Sequence, residues 1–226
     1  MDLVIFDCDG VLIDSEIISA RMLIAELRGY GVDITIDYVK QHFLGRSYPM
    51  VMRQIRDQFA LVLPERFESD YRARLLRAFD TELRAMPGVD AVMAALACPF
   101  CVATSSSPER VRHSLGLVGL WDRCAGRIFT ASQVAHGKPA PDLFLFAAAE
   151  MGAAPNRCLV IEDSQNGMQA ALAAGMTVSR FTGGSHLSGP GPIDDGPALP
   201  HHSFADFTRF FDDWPQLRRE NGRNPE

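Results

Sequence analysis

The sequence predicts an α/β fold, a doubly wound, Rossmann-like parallel sheet with an all-helical domain inserted near its start. Three observations carry this. Short apolar runs recur at residues 3–6, 100–103, 158–161 and 177–181 with helical patterns between them, as expected of strands buried on both faces. The stretch 14–83 has helical spacing and no convincing buried strand, which marks an insertion. Each of the first three runs is followed at once by polar residues, where an open parallel sheet binds its ligands.

The elements follow in order. Leu3-Val4-Ile5-Phe6 is the first strand. Ile17, Ile18, Ala20, Met22, Leu23 and Leu27 give the insert one amphipathic helix, and Val51, Met52, Ile55 and Phe59 give it another. Pro87-Gly88 closes the insert, and a helix over 89–97 returns the chain to the sheet at Phe100. Helices over 142–151 and 165–174 stop at Gly152 and Gly175, residues suited to a left-handed C-terminal position. Residues 183–200, dense in Gly and Pro, read as a surface loop leading to a last amphipathic helix near 204–211. The expected division is a core of 1–13 and 84–226 around an insert of 14–83.

The composition of the 226 residues excludes several classes. Apolar residues at 47% and charged residues at 22% are ordinary globular values. A net charge of −6 argues against a nucleic-acid surface, because Arg218, Arg219 and Arg223 sit in a polar tail and not on a basic face. No apolar run is long enough for a membrane helix, and the N-terminus enters a strand directly, unlike a signal peptide. The cysteines are Cys8, Cys98, Cys101, Cys124 and Cys158, an odd number set mostly in apolar runs, so they suit a reducing cytoplasm. Nothing resembles a coiled coil, and a monomer or small homo-oligomer is expected.

The residues after the strands carry chemistry. They are Asp7-Cys8-Asp9-Gly10, then Thr104-Ser105-Ser106-Ser107, then Glu162-Asp163-Ser164, with Gly137-Lys138-Pro139-Ala140-Pro141-Asp142 opening a helix. Two aspartates one residue apart and two adjacent acids on another strand would bring four carboxyls near one point. Such charge is unfavourable without a cation. An all-oxygen set suits Mg²⁺, which takes one or two carboxylates together with substrate phosphate oxygens. Lys138, the Thr104 hydroxyl and nearby N–H groups supply what a phosphoryl group needs. Thr104 to Ser107 also reads as a helix N-cap cluster, a role compatible with phosphate binding.

These four motifs, in this order, resemble the haloacid dehalogenase superfamily in its phosphatase and phosphomutase branch with a helical cap. The resemblance spans most of the chain. It implies that Asp7 is a nucleophile forming an aspartyl-phosphate and that Asp9 is the general acid/base. It further implies Mg²⁺ on the Asp7 carboxylate, the Asp9 main-chain carbonyl and Asp163, with Glu162 assisting directly or through water. Thr104, Ser105 and Lys138 would hold the phosphoryl oxygens. Asp9 must be protonated part of the time, a state expected from an enclosing cap and the neighbouring Asp7.

Within the family, Asp9 disfavours dehalogenation, which has no alcohol to protonate. Sugar phosphomutases of this branch carry a cap histidine where this chain has Ser19, which favours hydrolysis, with a mutase of the β-phosphoglucomutase type as the alternative. Phe6-Asp7-Cys8-Asp9-Gly10, Asp14-Ser15-Glu16, Tyr71-Arg72-Ala73 and His113-Ser114-Leu115-Gly116 are similar to bacterial phosphatases of the 6-phosphogluconate type. The expected substrate is therefore a small phosphorylated sugar or sugar acid. Leu44-Gly45-Arg46-Ser47 looks like the cap's specificity loop, with Arg46 placed to fork onto a substrate carboxylate. A distant rival is Cys98-Pro99-Phe100-Cys101, which has the form of a thiol–disulfide motif but leaves a helix and enters a strand, the reverse of the redox arrangement.

Overall fold

The computed structural model describes residues 1–43, 48–188 and 196–220. Six parallel strands form one sheet in the order β3-β2-β1-β4-β5-β6. They are β1 (Leu3–Phe6), β2 (Phe100–Thr104), β3 (Ile128–Thr130), β4 (Cys158–Glu162), β5 (Thr177–Phe181) and β6 (His202–Phe204). Among the described residues they are accompanied by the α-helices α1 (Glu16–Arg28), α2 (Ile36–His42), α3 (Tyr48–Phe59), α4 (Phe67–Glu82), α5 (Val89–Ala95), α6 (Pro108–Leu117), α7 (Trp121–Cys124), α8 (Asp142–Glu150), α9 (Gln165–Ala173) and α10 (Phe210–Asp213).

Alternation along the strands explains the two-sided burial. Val4 and Phe6 of β1 join Val102, Leu159 and Ile161 in a cluster that continues through α5, α6 and the inserted helices. Leu3 and Ile5 point the other way and join Cys101, Ala103, Val160 and Val178 against α8 and α9. Both faces are apolar because both are covered. Helices α1 to α4 make up the segment between β1 and α5, and its two crossings lie side by side. The Asp14 N–H donates to the Arg84 carbonyl (3.0 Å) and the Met86 N–H to that of Leu12 (2.9 Å).

Two strands escaped the sequence reading, β3 and β6, each of three residues at a sheet edge, too short to display a period. The helix expected near 204–211 is also corrected. Phe204 ends β6, 207–209 form a 3₁₀ turn, and only Phe210–Asp213 is α-helical. The helical spacing of Phe204, Phe207 and Phe210 reflects an aromatic cluster, with Phe207 stacked on Phe181 at 4.5 Å and edge-on to Phe204 at 5.2 Å. Rings gathered by tertiary packing mimic an amphipathic period.

Candidate active site

Strand register assembles the site. Phe6 pairs with Ile161 and Val102 on its two neighbours, so the next residues, Asp7, Glu162 and Ala103, emerge together at the carboxyl end of the sheet. Thr104 follows on β2, and its hydroxyl accepts from the Ser106 N–H (3.1 Å) as the chain turns into α6. Ser107 caps α6 and Ser164 caps α9. Lys138 arrives from the loop before α8 and is buried.

The Lys138 ammonium donates to Asp7 Oδ1 and Glu162 Oε1, both at 2.6 Å. Glu162 Oε2 accepts from the Asp163 N–H (2.9 Å), the Ser164 N–H (2.8 Å) and the Ser164 hydroxyl (3.0 Å). Both Glu162 oxygens are thus engaged in fixing their neighbours. Asp163 Oδ2 lies 2.8 Å from His186 Nε2. Asp9 turns away from this group: Ser15 Oγ (2.6 Å) and Arg110 Nη2 (2.6 Å) donate to its Oδ1, and Ser106 Oγ (2.5 Å) to its Oδ2.

These groups open onto a cavity of about 460 Å³ whose far side is formed by the inserted helices, including Ser19, Leu23, Tyr71, Arg72 and Leu75. Ser105 also lines it. Ser19 Oγ accepts from Arg110 Nη2 at 3.2 Å and donates to the Ser15 carbonyl at 3.0 Å. Arg72 is tied to Glu68 at 2.6 Å and Ser107 at 3.2 Å. Arg46 lies outside the described residues.

Asp7, Glu162 and Asp163 offer ligand atoms within 4.8 Å of one another, an arrangement suited to a metal ion and the only such group among the described residues. Burial pushes Asp7 and Asp163 well above the usual carboxylate range, and Glu162 adds to it in both cases against the opposing pull of Lys138. One ammonium against three buried acids leaves the cluster short of positive charge, which a hard divalent cation with oxygen ligands would supply. Burial also pushes Glu16 up to about 8, reinforced by Asp9 and Asp163 and opposed by His186. The His186 ring is pulled below its usual value, chiefly by burial.

The expectation for Asp9 requires correction. Burial alone would raise it, but the Arg110 guanidinium and the hydroxyls of Ser106 and Ser15 outweigh that and hold the carboxyl below the ordinary range. Asp9 is ionised in this conformation. The cysteine rival also falls, since Cys101 is fully buried in β2 and burial pushes the thiols of Cys98 and Cys101 up, away from the reactive thiolate.

A stability prediction follows from the raised acids. Asp7, Asp163 and Glu16 bind protons more tightly folded than unfolded, so folding stability falls as pH rises through their shifted values. In EDTA the melting temperature is expected to drop steadily between the ordinary value of 4.5 and about 8 for Glu16. Added Mg²⁺ is expected to flatten the slope by favouring the ionised forms of Asp7 and Asp163. Thermal melts across this range, with and without the ion, check both parts.

Sequence reasoning quoted Ser15, Glu16 and Ser106 within its motifs without giving them roles, and it missed Arg110 and His186. Arg110 was legible only as a charged residue in the first turn of a helix. His186 was lost in a stretch read as surface loop, whereas 185–187 form a buried-sided 3₁₀ turn after β5.

The comparisons agree with this geometry. A family model described as haloacid dehalogenase-like hydrolase matches residues 1–175. The 6-phosphogluconate phosphatase of Escherichia coli is 29% identical over 187 residues, covering 82% of this chain and 85% of that protein. Hexitol phosphatase A of the same organism is 32% identical over 189 residues, covering 77% and 80%. A haloacid dehalogenase-like protein of unknown function from Agrobacterium tumefaciens superposes with a TM-score of 0.81 at 31% identity, covering 96% of this chain and 99% of that one. With the sheet, the strand-end acids and the buried lysine, these matches establish that the chain belongs to the haloacid dehalogenase-like hydrolases, as a phosphoric monoester hydrolase.

Proposed function

We propose that this chain is a Mg²⁺-dependent phosphatase of small sugar phosphates and phosphorylated sugar acids, acting through an aspartyl-phosphate on Asp7. The carrying observation is the buried set of Asp7, Lys138, Glu162 and Asp163 facing one cavity, which combines a nucleophile, a fixed cation and a metal-binding acid pair. Asp7, the Asp9 carbonyl and Asp163 would hold Mg²⁺, with Glu162 fixing Asp163 and Lys138 around it. When bound, the ion polarises the phosphoryl oxygens and offsets carboxylate charge.

An Asp7 oxygen attacks phosphorus, the bond to the substrate alcohol breaks, and its electron pair departs on the alcohol oxygen, which takes a proton from Asp9. In the second half-reaction Asp9 accepts a proton from water as the water oxygen attacks the same phosphorus. Asp7 is regenerated and inorganic phosphate leaves. Thr104, Ser105 and Lys138 hold the transferring oxygens throughout. Because Asp9 rests ionised on Arg110, it acts as an acid only after leaving that partner and taking up a proton from solvent, so that a neutral carboxyl faces the leaving oxygen. We assign this exchange to closure of the cap, 14–83, about its paired crossings.

The similarity to a 6-phosphogluconate phosphatase supports an anionic sugar as substrate, with Arg46 a candidate to meet its charge. Ser19 provides no imidazole, so hydrolysis is favoured over mutase chemistry. A screen of phosphorylated metabolites for released phosphate, including 6-phosphogluconate, hexitol phosphates and hexose phosphates, tests the reading. The expected result is turnover that stops in EDTA and returns with Mg²⁺, with the highest kcat/KM on a sugar acid or polyol phosphate. No phosphate release from any member, or release indifferent to chelation, overturns it.

A further inference from the structure

We infer that His186 is a positioning residue of the metal site, its Nε2–H fixing the Asp163 carboxylate in the orientation that receives the cation. The inference rests on the reading of Asp163 as a Mg²⁺ ligand and adds a residue that the chemistry above does not use.

His186 belongs to Gly183-Gly184-Ser185-His186, the segment that leaves β5, and it is 4% exposed. Its Nε2 lies 2.8 Å from Asp163 Oδ2, while its Nδ1 is buried without a partner. A proton on Nδ1 would be a buried, unsatisfied donor. A carboxylate oxygen can only accept, so where Asp163 is ionised to receive a cation the ring proton belongs on Nε2, with His186 the donor and Asp163 the acceptor.

The surroundings leave little freedom to this pair. A Cβ on Gly10, which has φ +80°, would fall 2.0 Å from Asp163 Oδ2 and 3.0 Å from His186 Cε1, and one on Gly184 would fall 2.6 Å from that same ring carbon. Two glycines, from opposite ends of the sequence, admit the imidazole to the carboxylate. The turn is also anchored where the chain crosses into the cap, since the Ser185 N–H and hydroxyl both donate to Asp14 Oδ1, at 3.2 and 2.7 Å. A carboxylate held by a clamped donor does not need to be oriented when the ion arrives. Outer contacts of this kind are typically worth about 10- to 100-fold in metal affinity.

The test is metal binding by the full, metal-free chain. Mn²⁺ is titrated while the free ion is followed by its paramagnetic resonance, with Mg²⁺ as competitor, for the wild type, His186→Leu and His186→Gln. A glutamine amide nitrogen can occupy the place of Nε2, whereas leucine fills the space without donating. The expected result is a Kd raised about 10- to 100-fold in His186→Leu and largely restored in His186→Gln, with the metal-free melting temperatures of the two variants alike. Wild-type affinity in His186→Leu overturns the inference, as does equal loss in both variants accompanied by equal loss of metal-free stability, the mark of a packing role. If His186→Leu does not fold, wild-type affinity together with wild-type stability in His186→Gln supports the donor role, and weakened binding there overturns it. A wild-type chain that takes up neither ion removes the metal-ligand reading itself, an outcome distinct from the other two.

Discussion

Asp7→Asn is expected to lower kcat/KM for any phosphate monoester by at least about 10⁴-fold, the scale on which loss of a covalent nucleophile is felt. The carboxamide is nearly isosteric with the carboxylate but is a far weaker nucleophile. The same substitution is expected to leave the metal-free fold intact or more stable. Asp7 is one of three buried acids facing a single ammonium, and burial already pushes its carboxyl well above the usual range. Removing one acid relieves repulsion, while Lys138 keeps its 2.6 Å contact with Glu162. Activity and stability therefore move in opposite directions, a pattern that general misfolding does not give. Kinetics on an aryl phosphate and a thermal melt in EDTA check it together. Activity within tenfold of the wild type would remove Asp7 as nucleophile.

The parts of the molecule legible in the sequence are those specified by local pattern. Apolar runs of four or five residues revealed β1, β2, β4 and β5, and the acids beyond β1 and β4 stood out because polar residues abruptly follow fully buried ones. The helices before Gly152 and Gly175 ended within a residue or two of expectation. What stayed hidden depends on distance in the chain. Asp9 and Arg110 are 101 residues apart, and no local signal says that this arginine holds that aspartate ionised. Asp163 meets His186 only because β5 returns the chain to the same sheet edge beside β4. A Gly-rich sequence reads as a solvated loop by composition, yet here glycines make room for a buried ring. The edge strands β3 and β6 follow the same logic, being set by their neighbours and not by any period of their own.

Lys138→Met is expected to damage stability as well as activity. Lys138 is 4% exposed, and its ammonium lies 2.6 Å from both Asp7 and Glu162 and 4.8 Å from the centre of the Phe144 ring. Methionine preserves much of the apolar contact with that ring but leaves three acids without a cation. Breaking a buried ion pair from one side costs about 3–5 kcal/mol. The sign with pH is fixed by the acids. Without the lysine, which pulls the Asp7 and Asp163 values down, both rise further above the unfolded value of 3.8. The variant therefore loses stability as pH rises above that value, and goes on losing it to a higher pH than the wild type does. Urea denaturation in EDTA at pH 6 and pH 8 should show the larger deficit at pH 8, with Mg²⁺ recovering part of it. Catalysis should fall by at least about 10³-fold even where the variant is folded, because a preorganised charge on the transferring phosphoryl group is lost. A deficit below about 0.5 kcal/mol at pH 8 in EDTA, within the range of ordinary surface changes, would show that the three acids are not held together by this lysine.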